Sequence, residues 1–179
     1  CTHMLADIPN GVTVCSSELV AGGILQEGTA LGGKDAAGLY HVVKTARLTE
    51  DATANTKAYK VAKGHHFKVG DFIMVKVGAK AYKITSINTS ETLYDTINVG
   101  TTLGEAATAG AALVLAAAES ADTTSAFKYV PKAMTGDSYD VEALNNHFVT
   151  AVTIGQFKES VIPAVSDDIK AALPGISLI

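Results

Sequence analysis

The segment KGHHFKVGDFIMV, Lys63 to Val75, poses the choice that decides the fold. Its adjacent histidines suggest a metal or catalytic site. Its second half suggests the start of a β-strand. Successive side chains of a strand face opposite ways, so His65 and His66 are poorly placed to share one metal ion. No third ligand stands at a familiar spacing, and the chain contains neither C-x-x-C nor H-E-x-x-H. Val69-Gly70-Asp71 has turn chemistry with a permissive glycine. Phe72 to Val75 is a run of four apolar residues, suited to a strand covered on both faces. The segment therefore reads as a polar turn feeding a strand, with no metal expected.

Strand signals recur on either side. In LYHVVKTARL (39–48), Tyr40, Val42, Lys44, Ala46 and Leu48 form a mainly apolar parity. The other parity, which carries His41, is mixed and places that histidine at the surface. Glu50 to Thr56 is a polar break, and AYKVAKG (58–64) is a short strand ending in a glycine turn. KAYKITSI (80–87) alternates, NTSE (88–91) is a turn, and TLYDTINV (92–99) puts Leu93, Ile97 and Val99 on one parity. Asp95 is the exception on that parity. AALVLA (111–116) is a last short strand before a polar connector, ESADTTSA (119–126). This spacing suits a small barrel or sandwich.

The flanks are less regular. Residues 5–36 are rich in Gly, Ala and Ser and read as short strands and turns, or an extended arm. The pairs Gly22-Gly23 and Gly32-Gly33 make no G-x-G-x-x-G fingerprint. After the connector, VEALNN (141–146) could make one helical turn. HFVTAVTIG (147–155) reads as one strong strand with Phe148, Val152 and Ile154 on a shared parity. Near the end, Ser166 is an N-cap, and Asp167 and Asp168 sit where the helix dipole favours acids. Ile169 and Leu173 share a face, and Pro174-Gly175 stops the helix. About two turns cannot persist undocked.

These pieces predict a mainly β fold. A compact β module over 50–118 is inserted in, or joined to, a second β-rich part. That second part combines an N-terminal arm and strand region (1–49) with a C-terminal β region and short helix (119–179). The chain ends on Ile176, Leu178 and Ile179, strong apolar residues where a frayed polar end is usual. With Ile169 and Leu173 they are the expected contacts between copies, because an alanine-rich interior leaves limited room for five more large side chains.

Composition narrows the function. There are 179 residues, a net charge of −4, no tryptophan, and Arg47 is the single arginine. Thirteen lysines are scattered among acids, so no basic face is formed for nucleic acid. No apolar run reaches membrane-spanning length and no secretory signal is visible. Cys1 and Cys15 are too few for a disulfide framework. Residues 1–4 have the look of a cloning scar, which removes weight from Cys1 and His3. No G-x-S-x-G elbow accompanies the histidines. His147 reads as a strand opener. Glu18, Glu27 and Asp35 lie in irregular sequence ill suited to holding catalytic geometry. No catalytic residue, cofactor or metal is expected.

The ordered series KGHHFKVGD, an apolar strand, YKITSIN, YDTINVGTTLG, AVTIGQFKES and a terminal DIKAALPGISLI resembles tailed-phage head proteins. These are the capsid decoration, cement and head-fibre proteins, including those of phages and prophages of Bacteroides-like hosts. The resemblance spans about Val43 to Ile179 and rests on order and turn chemistry. It implies a non-enzymatic virion protein made in the bacterial cytoplasm, β-rich and trimeric. Such a protein would sit outside a capsid on the major capsid protein. The competing expectation is an adhesin-like module that binds carbohydrate or a host surface. With no tryptophan, Tyr129 and Tyr139 are its best candidate platform.

Overall fold

The computed structural model describes all of residues 1–179. Contacts divide the chain into two compact units: Cys1–Val43 with Tyr129–Ile179, and Lys44–Lys128 inserted between those two pieces. Both are built from strands, and the single helix has six residues. No helix is long and apolar enough to cross a membrane. Both cysteines are free thiols.

The interrupted unit has a five-stranded sheet at its centre. Strands β1 (His3–Asp7), β14 (Ala151–Phe157), β11 (Pro131–Thr135) and β4 (Ala30–Gly32) lie in that order. β15 (Ile176–Leu178) runs parallel to β14, with Gly155 opposite Ile176. Two ribbons complete the unit: β2 (Val12–Val14) with β13 (His147–Val149), and β3 (Ile24–Leu25) with β12 (Tyr139–Asp140). Val12, Val14, Leu25, Leu31, Val42, Val141 and Val149 meet in one apolar core. His3 and Met4, given no weight by the sequence, take part in β1, where Met4 pairs with Gly155.

The inserted unit is one antiparallel sheet in the order β5 (Thr45–Arg47), β10 (Ala112–Ala116), β7 (Phe72–Met74), β8 (Ala81–Asn88), β9 (Tyr94–Val99), β6 (Ala58–Ala62). Its edges approach each other at one isolated bridge, Leu48 to Val61, and no continuous ladder closes it into a barrel. Tyr59, Phe67, Ile73, Ile84, Ile97, Leu103 and Leu113 are fully buried. At about 1.5–3 kcal/mol per large side chain, such burial is the main favourable contribution to this unit.

Several expectations need adjustment. The inserted unit begins at Lys44, against Glu50 expected, because β5 pairs with β10. It ends at Lys128, against Ala118, because the polar connector is bridged back through Ala81–Ser120 and Ala116–Phe127. The run 39–48 is shared: Val42 bridges Leu31 in one unit, and Thr45–Arg47 pairs in the other. The single strand read over 147–155 is broken at Thr150 into β13 and β14, which belong to different sheets. Its parity fails accordingly, with Phe148 and Ile154 exposed and Val152 buried. Residues 141–146 form a turn and no helix.

The helix forms where its signals lie. α1 (Asp167–Ala172) is capped by Ser166, whose hydroxyl accepts the Ile169 N–H at 3.3 Å. Ile169 and Leu173, expected between copies, are buried inside their own unit, where α1 lies against β11. A helix this short needs a docking surface, and the first unit supplies one. Ile176 and Leu178 are half-buried on β15, which a ladder to β14 holds, and Ile179 is exposed. Of the five expected interface residues, two are core, two are half-buried on β15, which pairs with β14 alone, and one has an exposed side chain.

Candidate functional site

The opening segment resolves into two pegs of an internal polar network. Gly70 adopts φ +100°, a backbone that favours glycine, and its N–H donates to the Ile84 carbonyl at 3.0 Å. That turn places the Asp71 carboxylate to accept the Lys68 N–H at 2.9 Å and the Lys44 ammonium at 2.7 Å. The Lys44 side chain is only 2% exposed. The apolar parity of 39–48 was therefore legible, and its lysine is tolerated because Asp71 meets it in the interior.

The second peg is Asp95, the polar exception on β9, which does face inward. Lys63 Nζ reaches its Oδ1 at 2.6 Å and the Thr89 carbonyl at 3.2 Å. His65 Nε2 stands 3.4 Å from Asp95 Oδ2 without hydrogen-bond geometry, while its Nδ1 accepts the Phe67 N–H at 3.2 Å. An Nδ1 that accepts carries no proton, which fixes the neutral tautomer with hydrogen on Nε2. His66 is buried and the His65 side chain is only 6% exposed, where a polar surface turn was expected.

Burial holds the His65 imidazole below its ordinary value of 6.5; Asp95 opposes this, and Lys63 and Lys44 add to the depression. Folding thus favours the neutral ring. Its contribution to stability is complete above 6.5 and is lost as pH falls from there towards the lower folded value. His65→Gln is expected to flatten the fall in melting temperature between about pH 7 and pH 5, read by circular dichroism. An unchanged pH slope would show that His65 is not the acid-sensitive group.

A third cluster lies in the interrupted unit, where the sequence placed only a surface histidine and loosely held acids. His41 is buried. Its Nδ1 lies 3.0 Å from Glu18 Oε2 and its Nε2 lies 3.1 Å from Asp35 Oδ2. The ring stacks on Tyr129 with centroids 4.2 Å apart and planes 11° from parallel. Tyr129 donates its hydroxyl to Glu18 Oε1 at 2.6 Å. Asp35 Oδ1 accepts the N–H groups of Ala37 and Leu39 at 2.8 and 2.9 Å. The Leu39 N–H is the main cause that holds the Asp35 carboxyl below its ordinary range, and the His41 hydrogen bond adds to it. The sequence signal for this contact is the Asp-Ala-Ala-Gly turn, which folds Asp35 back towards His41. The Glu18 contact spans separate loops and has no local signal.

Tyr129 has one ring face against His41, and Tyr139 packs against the apolar core while its hydroxyl accepts the Thr150 N–H at 3.0 Å. His147 Nε2 accepts the Glu142 N–H at 3.0 Å and helps shape the 142–146 turn. A shallow groove of about 540 Å³ in the inserted unit is lined mostly by alanines and threonines. Its one acid, Asp51, is spent on the Ala109 N–H at 2.8 Å.

The surface itself is uneven. Of twelve large hydrophobic side chains left exposed, only Val69 and Leu93 belong to the inserted unit. Leu144 is the extreme case, 95% exposed at φ +69°, a left-handed backbone unusual for a residue with a Cβ. Its turn is built: Asn146 Oδ1 accepts the Ser16 N–H at 3.2 Å, and Asn145 Nδ2 donates to Glu142 Oε2 at 2.9 Å. Phe148, just beyond on β13, is 65% exposed. No protein-family model, curated protein or solved structure matches the chain.

Proposed function

We propose that this protein is a non-enzymatic structural subunit of a tailed-phage virion. It sits on the outside of the capsid as a decoration or head-fibre protein and docks on the major capsid protein through its interrupted unit. The observation that carries this reading is the concentration of exposed apolar side chains in the interrupted unit, above all Leu144 and Phe148 on and beside a built turn. A strained backbone that holds a leucine in water suits a docking point, because covering that side chain recovers the lost burial. The ionisable clusters support the same reading, since Lys44, Lys63, Asp71, Asp95, Glu18 and Asp35 are engaged in bonds within their own units. The ordered turn and strand series of the sequence supplies the virion context and a trimeric assembly.

Purified protein mixed with capsids that lack it should sediment with them. Leu144→Asp combined with Phe148→Asp should weaken capsid binding by at least tenfold, given about 1.5–3 kcal/mol for each large side chain covered. The circular dichroism spectrum should stay that of the wild type. A wild type that remains in the supernatant, or a variant that sediments equally well, would remove the proposal.

A further inference from the structure

We propose that Glu18, His41 and Asp35 form a proton-operated clasp. The doubly protonated His41 ring ties the 35–39 turn to Glu18 on the loop after β2, and loss of one ring proton frees that turn at Asp35. This inference concerns the interrupted unit alone and does not rest on a virion role.

The ring makes two edge contacts, 3.0 Å to Glu18 and 3.1 Å to Asp35. An ionised carboxylate only accepts, so both contacts are hydrogen bonds only while each ring nitrogen carries a proton. Both carboxylates also accept from other donors. Two backbone N–H groups bind Asp35 Oδ1, and the Tyr129 hydroxyl binds Glu18 Oε1. The groups facing the ring are thus Glu18 and Asp35 at its edges and Tyr129 on its face. A neutral imidazole has one N–H, so its other lone pair would point at a carboxylate oxygen. The weaker side yields. The Asp35 side chain is 38% exposed against 22% for Glu18, so water replaces the ring most readily at Asp35.

The released loop keeps its own shape. Asp35 N–H donates to the Leu39 carbonyl at 2.8 Å, and Gly38 N–H donates to the Asp35 carbonyl at 3.0 Å. Residues 35–39 therefore move as one closed turn. The clasp is shut while both ring nitrogens carry a proton and open once one of them is lost.

The test is nitrogen-15 NMR of the His41 ring and of the Ala36–Leu39 amides across about pH 5 to 8.5. At the acid end both ring nitrogens should be protonated. On raising the pH, the ring and the loop amides should shift together with one midpoint. His41→Gln should abolish the loop shift and leave the loop in its high-pH state throughout. Asp35→Asn should invert the response. Its carboxamide oxygen still accepts from Ala37 and Leu39, and its amide group faces Nε2, where it donates to a neutral ring and opposes a charged one. The loop would then be held at high pH and loosened at low pH, a reversal that a merely structural hydrogen bond does not give. A ring with one proton throughout would overturn the clasp. So would loop amides that ignore its titration, or an Asp35→Asn loop that responds in the wild-type direction. If Asp35→Asn does not fold, His41→Gln decides alone, since a loop shift that survives in it sinks the proposal. Capsid binding is not the readout, so the two proposals fail independently.

Discussion

Asp71→Ala is expected to destabilise the inserted unit by about 3–5 kcal/mol, the usual cost of breaking a buried ion pair from one side. The Lys44 ammonium, 2.7 Å from this carboxylate and almost fully enclosed, would keep its charge without this counter-ion. The Lys68 N–H would lose its acceptor, and the Val-Gly-Asp turn would lose the bond that shapes it. Lys44→Met with Asp71→Ala removes both charges together and should recover most of the loss, because an apolar pair of similar volume is often neutral or better. Urea unfolding followed by circular dichroism gives both numbers. Two units lie in this chain, so the transition assigned to the inserted one should move while the other stays in place. A single variant that costs under about 1 kcal/mol would mean that water reaches Lys44 and that the pair is ordinary surface electrostatics.

Ile169→Ala is expected to cost the interrupted unit about 2–5 kcal/mol and to leave the mass in solution unchanged. Ile169 has no exposed surface, and it joins a six-residue helix that packs against β11. Truncation removes most of that helix's apolar anchor, and so short a helix has little intrinsic stability to fall back on. Denaturant unfolding reads the cost, and light scattering reads the mass. If Ile169 were a contact between copies, the alanine variant would lose mass at nearly unchanged stability. That result would return the C-terminal segment to the subunit interface.

Much of the chain was legible before any coordinates. Turn chemistry at Val69-Gly70-Asp71 and the alternation on 94–99 depend on neighbours in sequence, so the mainly β character follows from local rules. The α1 cap at Ser166, the acids behind it and the Pro174-Gly175 stop are local in the same way. The fate of polar residues inside those patterns was not legible. Lys44 and Asp95 looked like exceptions on apolar parities, and only the fold shows Asp71 and Lys63 arriving to neutralise them. Likewise His41 read as a surface residue because Glu18 sits on a different loop, and stacking on Tyr129 joins residues on either side of the inserted unit.

The C-terminal residues make the same point for apolar side chains. Periodicity could say that Ile169 and Leu173 share a face. It could not say what that face meets, and the answer is β11 of the same unit. Local pattern carries the mainly β character, the turns and the capped C-terminal helix, because propensity, capping and turn chemistry act over a few residues. The tertiary structure decided where the chain passes between its two units, which buried charges find partners, and which apolar faces remain in water. Those outcomes depend on groups far apart in sequence, whose meeting no local pattern encodes.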